Sequence, residues 1–460
     1  MTTLIKNGRV ITASDDYVAD VLIDGETVKT IGRDLKVSAD KTIDASGKYV
    51  IPGAIDPHVH MELPFGGTVS SDSFETGTRA AAVGGTTSII DFAIQYKGKT
   101  FQETLDDWHA RSNGKCAIDY GFHLAITEYE PRHAAEFAKV VVGGVTSFKL
   151  FLAYPGVFMV DDRTMYRVMQ SAGKAGGLTM IHAENGLVIQ EKIENLVAAG
   201  KTEPKYHPAS RPAVTEIDGI ERALRVAEFA DAPVFIVHVS TAGGADAIKR
   251  ARERGQPAFG ETCTQYLFFD DQKYDQPHFE GAKYVFTPPL RPEENIEPLW
   301  EALRLGHLQE VSTDHCPFNF KGQKDLGKES FTKIPNGGPG VEDRLSMIYQ
   351  GGVIDHEMSL NDWVKLTSTN SAKLFGMYPR KGTIAVGSDA DIVVFDPKKP
   401  QVRSAKTHMT NCDYNLFEGM KVDGSVETVL SRGKVVVEAG KYVGAAGDGR
   451  FLRRGKTIAV

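Results

Sequence analysis

The sequence predicts an α/β fold: a (β/α)8 TIM-type barrel over residues 54–376, with a small β-sandwich domain built from both chain ends, 1–53 and 377–460. Three observations carry this reading. Eight near-continuously apolar runs punctuate the middle of the chain, as strands buried on both faces should. Helix-period stretches such as DDRTMYRVMQSAGKAG and EIDGIERALRVAEFA separate them, the alternation of a parallel barrel. The two ends share another texture, short β-rich runs broken by Asn-Gly, Asp-Gly and Ser-Gly turn signals.

Taken in order, TLIKNGRVIT, YVADVLIDGETVKTIG and KTIDASGKYVIPG open the chain as strands and turns. The same pattern returns from Gly382 in KGTIAVGSDADIVVFD and SVETVLSRGKVVVEAGKYVG, so the β domain is discontinuous. Between them lie AIDPHVHM, TTSIIDFA, IDYGFHLAIT, SFKLFLA, LTMIHAE, PVFIVHVS, AFGETCTQYL and EVSTDHCPF. Functional residues of such a barrel come from the C-terminal ends of its strands. The first run ends on His58 and His60, whose spacing sends both imidazoles to one strand face. The fourth holds Lys149, the fifth His182, the sixth His238 and the eighth Asp314. His123 reads as a hydrogen-bonded strand histidine, His315 as facing away from Asp314, and Cys316 as a small buried side chain. His109, His133, His207 and His356 lie in polar or helical surroundings and read as surface residues.

Imidazole and carboxylate donors suit zinc, and manganese, cobalt or iron as well. Lys149 is the unusual member, because burial disfavours an ammonium and pushes its pKa down. A neutral amine can add carbon dioxide, giving a carbamate whose two oxygens bridge two cations. A lysine that snorkels out or pairs with a carboxylate is the alternative. The four histidines and Asp314 favour the carbamate.

The formal charge is -7 from 53 basic and 60 acidic residues, without a long run of either sign, which predicts neither nucleic acid nor a membrane surface as partner. Met1 leads into no signal-peptide pattern, and no apolar run approaches a bilayer span, so an unexported, soluble protein is expected. Cys116, Cys263, Cys316 and Cys412 are widely spaced, which suits a reducing cytoplasm and leaves any metal to nitrogen and oxygen donors.

PGAIDPHVHM, SFKLFLAYPGVF, MIHAEN, FIVHVS, YVFTPPLR and STDHCPF together resemble the signatures of the binuclear metal-dependent amidohydrolases, and within them the hydantoinase/dihydropyrimidinase family of cyclic amidases. The resemblance covers nearly the whole chain. It implies two divalent cations: one held by His58, His60 and Asp314, the other by His182 and His238, with Lys149 as N6-carboxylysine and a hydroxide bridging both. It implies opening of the ring amide of a hydantoin or dihydropyrimidine to an N-carbamoyl amino acid. Tyr154 would then stabilise the oxyanion, and Asp314 would carry the proton to the leaving nitrogen. Backbone atoms of Thr287 and Asn336 would hold the ring; threonine stands where the family commonly has serine, which matters little to a main-chain contact. The family is usually tetrameric or dimeric, and GAAGDGRFLRRG near the C-terminus is free to pack on a neighbouring subunit.

Leu63, Phe65, Phe151 and Phe158, in loops after the first and fourth strands, either receive a substituent of the ring or pack those loops. Allantoinase and dihydroorotase are rival activities, and a non-catalytic interaction protein is a third reading, though such homologues lose metal ligands. Dihydroorotase typically has an arginine just after His-x-His; Met61-Glu62 stands here, an anion expected to repel a ring acid unless Arg291 supplies a grip.

Overall fold

The structure, a computed structural model, describes residues 1–460. Strand Thr2–Ile11 pairs antiparallel with Asp16–Asp24 and parallel with Lys41–Asp44 and Tyr49–Pro52. Ile392–Asp396 then adds antiparallel to Tyr49–Pro52, setting Val394 opposite Val50, and Ser425–Ser431 and Lys434–Glu438 continue that edge. The result is one mixed nine-stranded sheet drawn from both chain ends. Ile5, Val10, Val21 and Val50 pack there with Ile384, Ile392, Val394 and Leu430, in a core separate from that of the barrel. Each half supplies the apolar face the other needs.

All eight apolar runs form strands: Ala54–Val59, Thr86–Ile94, Asp119–Ala125, Ser147–Phe151, Leu178–His182, Val234–Ile236, Ala258–Cys263 and Glu310–Ser312. They pair in parallel and in sequence order. Every residue in them is buried, which is why their sequences do not alternate. The ring shuts where Val59 bridges His315: the His60 amide donates to the His315 carbonyl at 2.8 Å and the Thr313 hydroxyl to the Asp56 carboxylate at 2.7 Å.

Helix Asp162–Ala175 shows how the outer layer is specified. Asp161 accepts from the Thr164 amide at 2.8 Å as N-cap, Met165, Val168, Met169 and Ala172 bury one stripe, and Gly176 takes the left-handed turn that ends the helix. Asp119, Asp389 and Asp391 bring three carboxylates together where the barrel meets the C-terminal strands. Lys381 Nζ lies 2.8, 3.0 and 2.5 Å from them and Arg432 3.0 Å from Asp119, so protein cations answer this cluster.

The C-terminal segment lies along its own barrel. The Tyr120 amide donates to the Arg450 carbonyl at 3.0 Å and the Gly455 amide to the Gly376 carbonyl at 2.8 Å. Leu452 joins Phe375 and Met377 in a cluster with Ile55, Met180, Phe235 and Phe259, closing the N-terminal end of the strands. Burial of Leu452 in that cluster and of Phe451 against the rings of His109, Tyr120 and Phe122 favours this docking. No helix is long and apolar enough to cross a membrane.

Candidate active site

The ends of the strands bring His58, His60, Lys149, His182, His238 and Asp314 around one cavity, which Leu63, Phe65, Phe151, Tyr154, Phe158, Thr287 and Asn336 also line. Nε2 of His58 and Nε2 of His60 each lie 3.1 Å from the same oxygen of Asp314. Nδ1 of His182 faces Nε2 of His238 at 2.9 Å. Phe92 lies beneath the first pair, its ring centroid 4.6 Å from that of His58 and 4.9 Å from that of His60. Lys149 is buried and unpaired, its ammonium held only by the rings of Phe92 and Phe151, 4.9 and 5.2 Å to their centroids.

Carboxylates behind the histidines fix which nitrogens are bare. Glu261 accepts from His58 Nδ1 at 2.5 Å, which assigns the proton there and turns an unprotonated Nε2 toward Asp314. That Nε2 is buried and has no hydrogen-bond partner. A lone pair facing a carboxylate oxygen at 3.1 Å calls for a proton or a metal cation between them, and the second imidazole on the same oxygen favours the metal. Glu184 likewise accepts from His182 Nε2 at 2.9 Å, leaving Nδ1 bare toward His238. Donor atoms of His58, His60 and Asp314 are close enough together to hold one metal ion.

Burial acts on these groups in opposite directions according to charge. It pushes His60 down to about 4, His182 down, His238 well down, and Lys149 to about 8. Burial would raise Asp314, but the charge and hydrogen bonds of His58 and His60 hold its carboxyl well below the usual range. His58 is raised on balance, because Glu261 and Asp314 outweigh its burial. Apart from His58, whose two carboxylates favour its charged form until a metal replaces the proton, the site favours neutral imidazoles, an ionised carboxylate and an amine close to deprotonation, the states in which these groups are donors.

Tyr154, His238 and Asp314 adopt left-handed backbone, φ 64°, 41° and 51°. Such geometry costs about 1–3 kcal/mol each and is kept where side-chain aim matters. The Asn336 amide donates to Thr287 Oγ1 at 2.8 Å and reaches Tyr154 Oη at 3.5 Å, joining the three in one patch of wall. Phe65 packs edge-on to Tyr154 with centroids 5.6 Å apart, and Phe151 lies 5.2 Å from Phe158, so the aromatic residues pack the loops and line the cavity together.

Several readings from sequence need correction. Glu62 is not at the mouth: its carboxylate accepts from the Phe74 amide at 3.2 Å, at the start of helix Phe74–Val83, where the helix dipole favours an anion. Arg291 is buried outside the cavity, donating to Glu216 at 2.8 Å and Ser240 at 2.9 Å. His133 and His207 are buried, not superficial; His133 stacks on Phe101 and His207 bonds the Phe286 carbonyl at 2.8 Å. His109 and His356 are half-buried, His356 against Trp300. Two readings need none: His123 is a hydrogen-bonded strand histidine, on Ser147 and the Pro57 carbonyl, and His315 pairs with Asp72 at 3.0 Å, away from the cavity. Glu261 and Glu184 went unread, although a carboxylate inside AFGETC carries the same signal as the lysine inside SFKLFLA.

A model of the Amidohydrolase family matches residues 49–436. A D-hydantoinase of Streptomyces coelicolor is 50% identical over 457 residues, 98% of either chain. A dihydropyrimidinase of Rattus norvegicus is 42% identical over 459 residues, 98% of this chain and 88% of the relative. Among solved structures, the dihydropyrimidinase from Brevibacillus agri superposes with a TM-score of 0.98 at 51% identity, over 99% of both chains. Likeness of that extent, on a barrel whose strand ends gather metal-ligand chemistry, makes this chain a hydrolytic enzyme and a member of the amidohydrolase family.

Proposed function

We propose that the protein is a cyclic amidase that opens the ring amide of hydantoins and dihydropyrimidines to N-carbamoyl amino acids. The observation that carries this is the bare Nε2 of His58 facing the Asp314 carboxylate at 3.1 Å, with His182 and His238 paired across the same cavity. The donor set fits two divalent cations such as zinc: His58, His60 and Asp314 would hold one, His182 and His238 the other, and Lys149, as its carbamate, would be a ligand to both. When bound, such a pair lowers the pKa of a shared water toward neutrality and polarises the ring carbonyl.

The chain supplies the rest. Tyr154 Oη donates to the oxygen that gains charge as the carbonyl becomes tetrahedral. Asp314, kept ionised by its histidines, takes a proton from the attacking water and delivers it to the ring nitrogen as the C–N bond breaks. Backbone atoms of Thr287 and Asn336 hold the ring amides, and Leu63, Phe65, Phe151 and Phe158 receive an apolar substituent. Four buried free thiols agree with a cytoplasmic protein, and the family's habit supports a homotetramer or homodimer. A non-catalytic interaction role is disfavoured, since all six ligand-type residues converge.

Initial rates on hydantoin, dihydrouracil and allantoin, with metal analysis of the same sample, test the reading. We expect about two equivalents of metal per chain, as a two-cation site of this donor set requires, and turnover of the first two rings. Metal-loaded protein that opens only allantoin would replace it with allantoinase.

A further inference from the structure

We infer that Lys324 is a positioning residue for ring recognition: its ammonium ties together the two backbone segments that carry Thr287 and Asn336. This rests on the reading that those segments hold the ring. Lys324 is wholly buried. Its Nζ donates to the carbonyls of Val285 at 2.7 Å, Pro335 at 2.8 Å and Gly337 at 2.6 Å. The three acceptors use all three ammonium protons. Val285 stands two residues before Thr287, and Pro335 and Gly337 flank Asn336, so one side chain spans both segments. Thr287, Asn336 and Gly337 all line the cavity.

Besides these carbonyls only the Phe318 ring, 5.9 Å to its centroid, faces the charge. Lys324 forms no ion pair, and burial without a carboxylate pushes it down to about 7. A charge buried against carbonyl dipoles and the Phe318 ring, with no anion, is costly, and a neutral side chain of the same length would leave the Pro335 and Gly337 carbonyls without donors. The joint is tight: Gly337, at φ 147°, comes so near the Asp314 loop that a Cβ would lie 2.2 Å from the Cys316 carbonyl oxygen. The Gly337 amide also donates to the Val285 carbonyl at 3.1 Å, so both segments and the loop after the eighth strand share one knot. Backbone atoms can grip a planar ring only if their spacing is fixed, and here that spacing is set by Lys324.

The test uses full-length, metal-loaded enzyme and the variants Lys324→Met and Lys324→Arg. Metal content, amide hydrogen exchange at 285–287 and 336–338, and KM and kcat for dihydrouracil are measured. In Lys324→Met we expect wild-type metal content, exchange in both segments faster by about tenfold or more, and KM raised by about tenfold with kcat reduced less, the pattern of lost ring binding. Lys324→Arg, which keeps the charge and the donors, should fall between the two, and it carries the comparison if the methionine variant does not fold. Unchanged KM with a lowered Tm makes Lys324 a stabiliser only and overturns the inference, as does raised KM without faster exchange in both segments. Wild type that opens no ring would sink the functional reading instead, and exchange would still decide whether Lys324 joins the two segments.

Discussion

Lys149, Glu261 and Lys324 are charges sealed inside the protein, and each is tolerated for a different reason. Glu261 faces the His58 ring, Lys324 has three carbonyls, and Lys149 has only aromatic faces and a pKa of about 8. An amine so placed gains most from losing its charge, which is what carbamate formation does. Lys149→Ala should therefore fold yet hold little metal and show almost no turnover, with part of the activity returned by a short-chain carboxylic acid that fills the gap. Normal metal content and rate in that variant would end the carbamate proposal. At this scale the sequence was legible where a polar residue interrupts an apolar run, as at His58, His182 and Asp314. Lys324 gave no such signal, because its partners are main-chain carbonyls and its neighbours in sequence are polar. His133 and His207 misled for the same reason: local polarity says nothing of what a loop is folded against.

Strands and helices were the most legible level, since continuous apolarity means burial on both faces and Asp161 and Gly176 mark the ends of a helix. What the linear pattern does not contain is the seams. One lies between the barrel and residues 401–420, where buried Glu342 accepts from the amides of Met409 at 2.7 Å and Thr410 at 3.1 Å. Burial, helped by Asp343, raises its carboxyl from 4.5 to about 7. A folded pKa above the unfolded one means the folded state prefers the proton: the stability this gives is complete below about pH 4.5 and is lost as pH rises to about 7. Glu342→Gln keeps an acceptor and removes the titration. It should raise Tm at pH 8, by the equivalent of about 1–3 kcal/mol, and change little near pH 4.5. Equal effects at both pH values would show that Glu342 is not protonated in the seam.

Across the whole molecule, the barrel sets the reacting groups and the loops above it decide which ring reaches them. The repulsion expected from Glu62 is absent, because that carboxylate caps a helix, yet the conclusion it served stands on another ground. The cavity offers a ring acid no free cation. Lys149 lies among the histidines, Arg211 is paired with Glu184 at 2.9 Å and sits over the Tyr154 ring, and Arg291 is bound to Glu216 outside. A carboxylate entering beside Leu63, Phe65 and Phe158 would lose its water and gain nothing, at a cost of several kcal/mol. An apolar substituent meets the reverse situation, since it would cover the still partly exposed rings of Phe65 and Phe158 and shed its own water. Hydantoin or dihydrouracil should therefore exceed dihydroorotate in kcat/KM by at least about a hundredfold, a gap of about 3 kcal/mol in transition-state binding. Comparable rates would mean that Arg211 can leave Glu184 to grip the acid, and Arg211→Met should then abolish dihydroorotate turnover while sparing the neutral rings.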